Sequence, residues 1–175
     1  MTYPTFTNGQ VLPASDLNAI GLWLVKTQTI AASSSIAVTS AFSSDYNAYR
    51  IVMSGFTNAA SDIALLMTLN GSAGATYKYW SNFWQYGAAA GNASSAGTTS
   101  WICGWSSTAG GNLSMDIINP NLATQTAFNS ANSTTSYYMA QGGIEASNNQ
   151  HTGFTIACGS AFNAGGTIRV YGYRN

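Results

Sequence analysis

Six side chains in this sequence could carry acid–base chemistry: Asp16, Asp45, Asp62, Asp116, Glu145 and His151. Each carboxylate falls in a different segment, so no local spacing pairs two of them as general acid and base. His151 lies in Asn148-Asn149-Gln150-His151-Thr152-Gly153, a turn-like run, and reads as a surface-loop histidine. One histidine cannot build a multi-histidine zinc site, and Cys103 and Cys158 do not form a Cys-x-x-Cys pair. Each cysteine sits in an apolar alternating run (Trp101, Cys103, Trp105 and Phe154, Ile156, Cys158), the setting of a buried thiol. No Gly-x-Ser-x-Gly or phosphate-loop pattern occurs. The expectation is a chain that is not an enzyme, with no catalytic residue, no cofactor and no metal. Asn70, Asn92, Asn112 and Asn132 match the Asn-x-Ser/Thr acceptor, but chance produces such matches readily in a chain so rich in these residues.

Binding chemistry is better represented. Tyr77, Tyr79, Trp80, Phe83, Trp84 and Tyr86 crowd one short stretch, and Trp101 follows. Tyr and Trp faces stack on sugar rings, while nearby Asn, Gln and Ser reach hydroxyls. Tyr79, Trp80, Trp84 and Trp101 are therefore candidate glycan contacts. Core packing and a subunit interface are the competing readings, because both also enrich aromatics. Tyr79-Trp80 and Phe83-Trp84 place aromatics on both faces of a strand, so one face can be core and the other contact. Arg50, Asp62, Asp116 and Arg169 lie within or beside strand patterns and read as structural ion pairs or open-face polar groups; Arg169 and Arg174 could pair across a subunit boundary.

The elements that must position these residues are mostly strands. Alternation runs from Leu22 to Ile30, through Ile36 and Val38, through Tyr49, Ile51 and Met53, and along Ile63, Leu65, Met67 and Leu69. Asn70-Gly71 then ends the strand, a hairpin signal if Thr76 onward returns antiparallel. Gly87 to Ser100 is a Gly/Ala/Ser run without a core pattern and reads as an exposed loop. Trp101 to Trp105, Leu113 to Ile117, Gln125 to Asn129, Tyr137 to Gln141, Gly153 to Cys158 and Thr167 to Tyr173 read as further strands. About nine to eleven short strands separated by turns predict an antiparallel β-sandwich.

Charge is the compositional anomaly. Only 6% of the 175 residues are charged and the formal net charge is zero, against about 25% charged residues in ordinary domains. Such a surface has little self-repulsion, which suits a subunit held in an assembly better than a free monomer. Five scattered Lys and Arg make no basic patch for nucleic acid. No stretch is long and apolar enough for a transmembrane helix. Met1-Thr2-Tyr3-Pro4-Thr5 has no signal-peptide pattern, so synthesis in a cytoplasm is expected.

The front of the chain differs from the rest. Asn8-Gly9 is a turn, Pro13 suits a first helical turn, and Leu17, Ile20, Gly21 and Leu24 fall on one helical face, with Gly21 a plausible stop. So short a helix must dock on something to be stable. Phe6-Thr7-Asn8-Gly9-Gln10-Val11-Leu12 followed by Ala14-Ser15-Asp16-Leu17-Asn18-Ala19 resembles the N-terminus of tailed-bacteriophage fibre and minor virion proteins. Gly21 to Ile30, Tyr46-Asn47-Ala48-Tyr49-Arg50-Ile51 and the ending Gly165 to Tyr173 are similar to the same group. Pro13 departs from the N-capping Thr of many relatives. The resemblance implies a virion structural subunit, often trimeric, with a β-sandwich (jelly-roll-like) head: a short fibre, knob or capsid decoration. It divides the chain into an attachment or oligomerisation segment, residues 1–22, and a sandwich, residues 23–175. Val11, Leu12, Leu17, Ile20 and Leu24 are the expected attachment interface. The expected partners are further copies of the chain and other virion proteins, with a host surface glycan as the alternative role for the aromatic stretch.

Overall fold

Residues that alternate between apolar and polar bury one face and leave the other in water, and most of the twelve strands of the described residues follow that solution. In the computed structural model, residues 21–60, 62–72 and 74–173 are described. The strands are β1 (Leu22–Thr29), β2 (Ser35–Val38), β3 (Ala48–Phe56), β4 (Ile63–Leu69), β5 (Tyr77–Gln85) and β6 (Ala90–Thr98). They continue as β7 (Trp101–Ser106), β8 (Gly111–Ile118), β9 (Thr126–Thr134), β10 (Tyr137–Glu145), β11 (Phe154–Cys158) and β12 (Thr167–Tyr173).

Two antiparallel sheets form, one of eight strands in the order β1-β12-β3-β8-β9-β10-β5-β6 and one of four in the order β2-β11-β4-β7. If the β9–β10 hairpin and the β1/β12 pair are set aside, the orders become β3-β8-β5-β6 and β2-β11-β4-β7. Successive strands from β2 to β6 switch sheets except at the β5–β6 hairpin. That is the connectivity of a jelly roll. The protein is thus an all-β sandwich of jelly-roll type, widened on one sheet by an inserted hairpin and by its first and last strands.

The core lies between the sheets. Tyr49, Ile51 and Met53 of β3, Leu113, Met115 and Ile117 of β8, and Ile168 and Val170 of β12 come from the large sheet. Leu65, Met67 and Leu69 of β4, Phe154 and Ile156 of β11, and Trp101 of β7 meet them from the small one. Cys103 and Cys158 are free and buried as expected, and burial pushes the Cys103 thiol up to about 12. At the β7 edge of the small sheet, Phe83 stacks on Trp105, and Tyr137 packs edge-on to Phe83 and tilted against Trp105.

Three expectations change. Gly87 to Ser100 is not an exposed loop: it contains β6, the edge strand beside β5, with Ala90 opposite Trp84 and Ser94 opposite Trp80. Phe83 explains how so featureless a run is held, since its ring lies where a side chain at Gly91 would stand, 2.3 Å from an ideal Cβ. Asn70-Gly71 turns the chain, but β4 and β5 are not a hairpin; β4 pairs with β11 and β7, and β5 pairs with β10 and β6 in the other sheet. Leu24 is a strand residue of β1 and not the end of a helical face, while Gly21 precedes it at φ +100°, a conformation favouring glycine. The short N-terminal helix and the turn before it lie outside the described residues.

Candidate functional site

The outward face of the large sheet carries the candidate contacts, and strand register orders them. Leu24 stands opposite Tyr171, then in sequence across the sheet come Arg50, Asp116, Asn129, Gly142, Trp80 and Ser94. One end of this row is an apolar edge and the other an aromatic platform, six strand spacings or roughly 29 Å apart.

At the β1 edge, Leu22, Trp23 and Leu24 are consecutive and all exposed, Leu24 at 56%. Exposed Ile118 lies in the same register row as Leu22, through Tyr173 and Ala48. A bulge between Leu24 and Lys26 breaks the pairing with β12 just after this run. Leu24 is thus placed at an exposed edge; Val11, Leu12, Leu17 and Ile20 lie outside the described residues. Beside the edge, Arg50 grips Asp116 through Nε and Nη2 at 2.8 and 2.7 Å, and the Tyr173 hydroxyl donates to Asp116 Oδ1 at 2.6 Å. The Arg50 hydrogen bonds hold the Asp116 carboxyl below its usual range. This cluster cancels its own charge, which leaves Lys26 of β1 and Arg169 of β12 as the cations nearest the apolar run.

At the other end, β5 divides its aromatics by face. Tyr77 is buried and Tyr79 is half-buried against the core. Trp80 and Trp84 point outward, Trp80 being 51% exposed. Trp101, also a candidate glycan contact, is fully buried; its Nε1 donates to the Ile144 carbonyl and its ring packs on Tyr77 and Phe128. Trp101 is therefore a core residue, because β7 belongs to the small sheet and turns that side chain inward. Tyr138, unremarked in the sequence, joins Trp84 directly across the strand pair with ring centroids 5.7 Å apart. A groove of about 480 Å³ runs beside Trp80, lined by Lys78, Tyr79, Asn129, Gly142, Gly143 and Ile144. Asn82, Asn92 and Gly91 line a smaller hollow beside Trp84.

His151 overturns its expected placement. It is completely buried, as is Glu145. His151 Nε2 lies 3.3 Å from Glu145 Oε2, and Nδ1 lies 2.8 Å from the Asn70 carbonyl oxygen. Both ring nitrogens thus have an oxygen within hydrogen-bonding reach, which fixes the orientation of the ring. Glu145 also accepts from the Ser147 amide at 3.1 Å, from the Ser147 hydroxyl at 2.7 Å and from Thr76. Burial opposes ionisation of Glu145, but the hydrogen bonds from Thr76, Ser147 and His151 outweigh it and hold the carboxyl below its usual range. The His151 amide donates to the Pro120 carbonyl and Asn121 Nδ2 to the His151 carbonyl. The cluster thereby ties together three loops, after β4, β8 and β10. With neither side chain exposed, it meets no substrate in the folded chain. It does fix the end of β10, where Ile144 and Gly142 form part of the groove beside Trp80.

Among the described residues no group of three or more His, Cys, Asp and Glu could hold a metal ion. No helix of the described residues is long and apolar enough to cross a membrane. The chain matches no protein-family model and no curated protein.

Proposed function

We propose that the chain is a non-enzymatic structural subunit of a tailed-bacteriophage particle. In this reading it forms a homotrimeric short fibre, knob or decoration, made in the host cytoplasm and built into the virion through residues 1–22. The observation that carries the reading is the exposed run Leu22-Trp23-Leu24 on an edge strand. Isolated exposed hydrophobics are ordinary, but three in succession, on both faces of a strand that is an edge among the described residues, are a feature that unassembled proteins avoid. The run directly follows the segment that resembles virion-protein N-termini. The near absence of charge supports the same reading, since a body held in a particle does not need repulsion to stay dispersed.

Removing residues 1–21 tests it. The shortened chain is expected to keep its sandwich, because the described sheets are built from Leu22 onward, and to be missing from purified particles. Incorporation at full occupancy would refute the attachment role.

A further inference from the structure

We propose that the groove beside Trp80 is a binding site for an acidic sugar, a glycan residue that carries a carboxylate. The site is separate from the β1 edge and does not depend on the assembly reading.

The argument begins with Gly142. In the register it stands between Trp80 on one side and Asn129 on the other. With no side chain at 142, the indole of Trp80 and the amide of Asn129 flank a slot in the sheet, their own strands lying roughly 10 Å apart. The amide leans over this slot, Asn129 Oδ1 lying 3.1 Å from where a Cβ at 142 would stand. An indole face covers the apolar C–H face of a pyranose, and the opposed amide can both donate to and accept from ring hydroxyls.

Lys78 decides the sugar class. It is exposed, lies two residues before Trp80 on the same face, and lines the same groove. Among the described residues Arg50 holds Asp116 and His151 lies against Glu145, and neither contact includes Lys78. No carboxylate lines the groove. A cation left without a counter-charge beside a stacking ring and an amide matches a sugar carboxylate, and electrostatic complementarity of this kind sets specificity. A second copy of the chain is a poorer match. Trp80 and Trp84 are separated by Asn82 and by roughly 13 Å of strand, so they do not form the continuous apolar centre of a protein interface. Trp84 with Tyr138, flanked by Asn82 and Asn92, offers a second stacking position along the same strand for the next sugar.

The test is a glycan array on which uronate- and sialate-containing oligosaccharides stand beside their carboxyl-reduced counterparts, probed with the full chain. Binding is expected to acidic members and to be weaker by about tenfold for the reduced ones, an effect that falls at high salt. Trp80→Ala should lose binding by about tenfold or more. Lys78→Gln should abolish the preference for acidic members, and Gly142→Val should fill the slot. Lys78 and Trp80 are exposed, so their variants should keep the wild-type melting temperature and a loss of binding is read on folded protein. Substitution of Leu24 should leave glycan binding intact, which separates this site from failure of the attachment reading. Absence of binding to every acidic member at high valency would overturn the proposal. So would equal binding of reduced members, or wild-type binding by Trp80→Ala.

Discussion

His151 and Trp101 show how much a residue's chemistry depends on which side of a sheet receives it. His151 enters a buried cluster and meets two oxygens there, so removing it leaves the Glu145 carboxylate buried without one of its hydrogen-bond partners. His151→Ala should destabilise the fold by about 3 kcal/mol, the scale seen when one partner of a buried pair is removed. Chemical denaturation measures this, and a loss under about 1 kcal/mol would mean that the pair contributes little. Glu145 also gives stability a pH dependence. Its folded carboxyl titrates below the unfolded one, so its contribution is complete above the ordinary carboxylate range and is lost as pH falls through the folded value. Asp116 acts in the same direction through Arg50, discounted because that pair is partly exposed. The melting temperature should drop on acidification below about pH 4, and Glu145→Gln should flatten part of that decline. An acid limb unchanged by the substitution would place the titrating group elsewhere. Trp101→Ala, which removes a buried indole packed on Tyr77 and Phe128, should cost about 3–5 kcal/mol.

At the scale of elements, the close approach of β10 to β5 is set by glycine. A Cβ at Gly143 would stand 2.2 Å from the Lys78 carbonyl oxygen and 2.9 Å from Tyr79 Cα, both backbone atoms that cannot move aside. Gly143→Ala should therefore destabilise by about 1–3 kcal/mol and widen the groove beside Trp80. A melting temperature equal to wild type would show that the strand pair is looser than described. The strands with strict alternation were legible from the sequence because each buries one whole face: β3, β4, β8, β11 and β12 fall where the period of two places them. β6 was not legible. Its small residues carry no period, and what holds them is backbone pairing to β5 plus a ring supplied by Phe83. The destination of β5 was also hidden, since Asn70-Gly71 specifies a turn and not the sheet in which the next strand pairs. Half of the aromatic site followed from spacing. Trp80 and Trp84 share a face by period two, but Tyr138, Asn129 and Gly142 come from strands far along the chain. The burial of His151 was not legible because it depends on Asn70, Pro120 and Asn121, which local pattern does not bring near it.

The large sheet of the sandwich has different surfaces at its two sides. The β1 side begins with an apolar run that continues from the segment resembling virion attachment sequences; the β5–β6 side displays rings, amides and a lysine that is in no ion pair among the described residues. Assembly through one side would leave the other directed outward. Leu24→Lys places a charge in the apolar run and, under the proposed trimeric assembly, should shift the full chain from trimer toward monomer, read by sedimentation. A variant that remains trimeric would move the subunit contact away from this edge. The most direct measurement is an image of the intact particle in which the chain is located by a bound antibody fragment. It should show threefold-related copies with the β1 edge against the particle and the Trp80 platform facing solvent. Particles without the chain, or copies seated with the Trp80 face inward, would contradict the account.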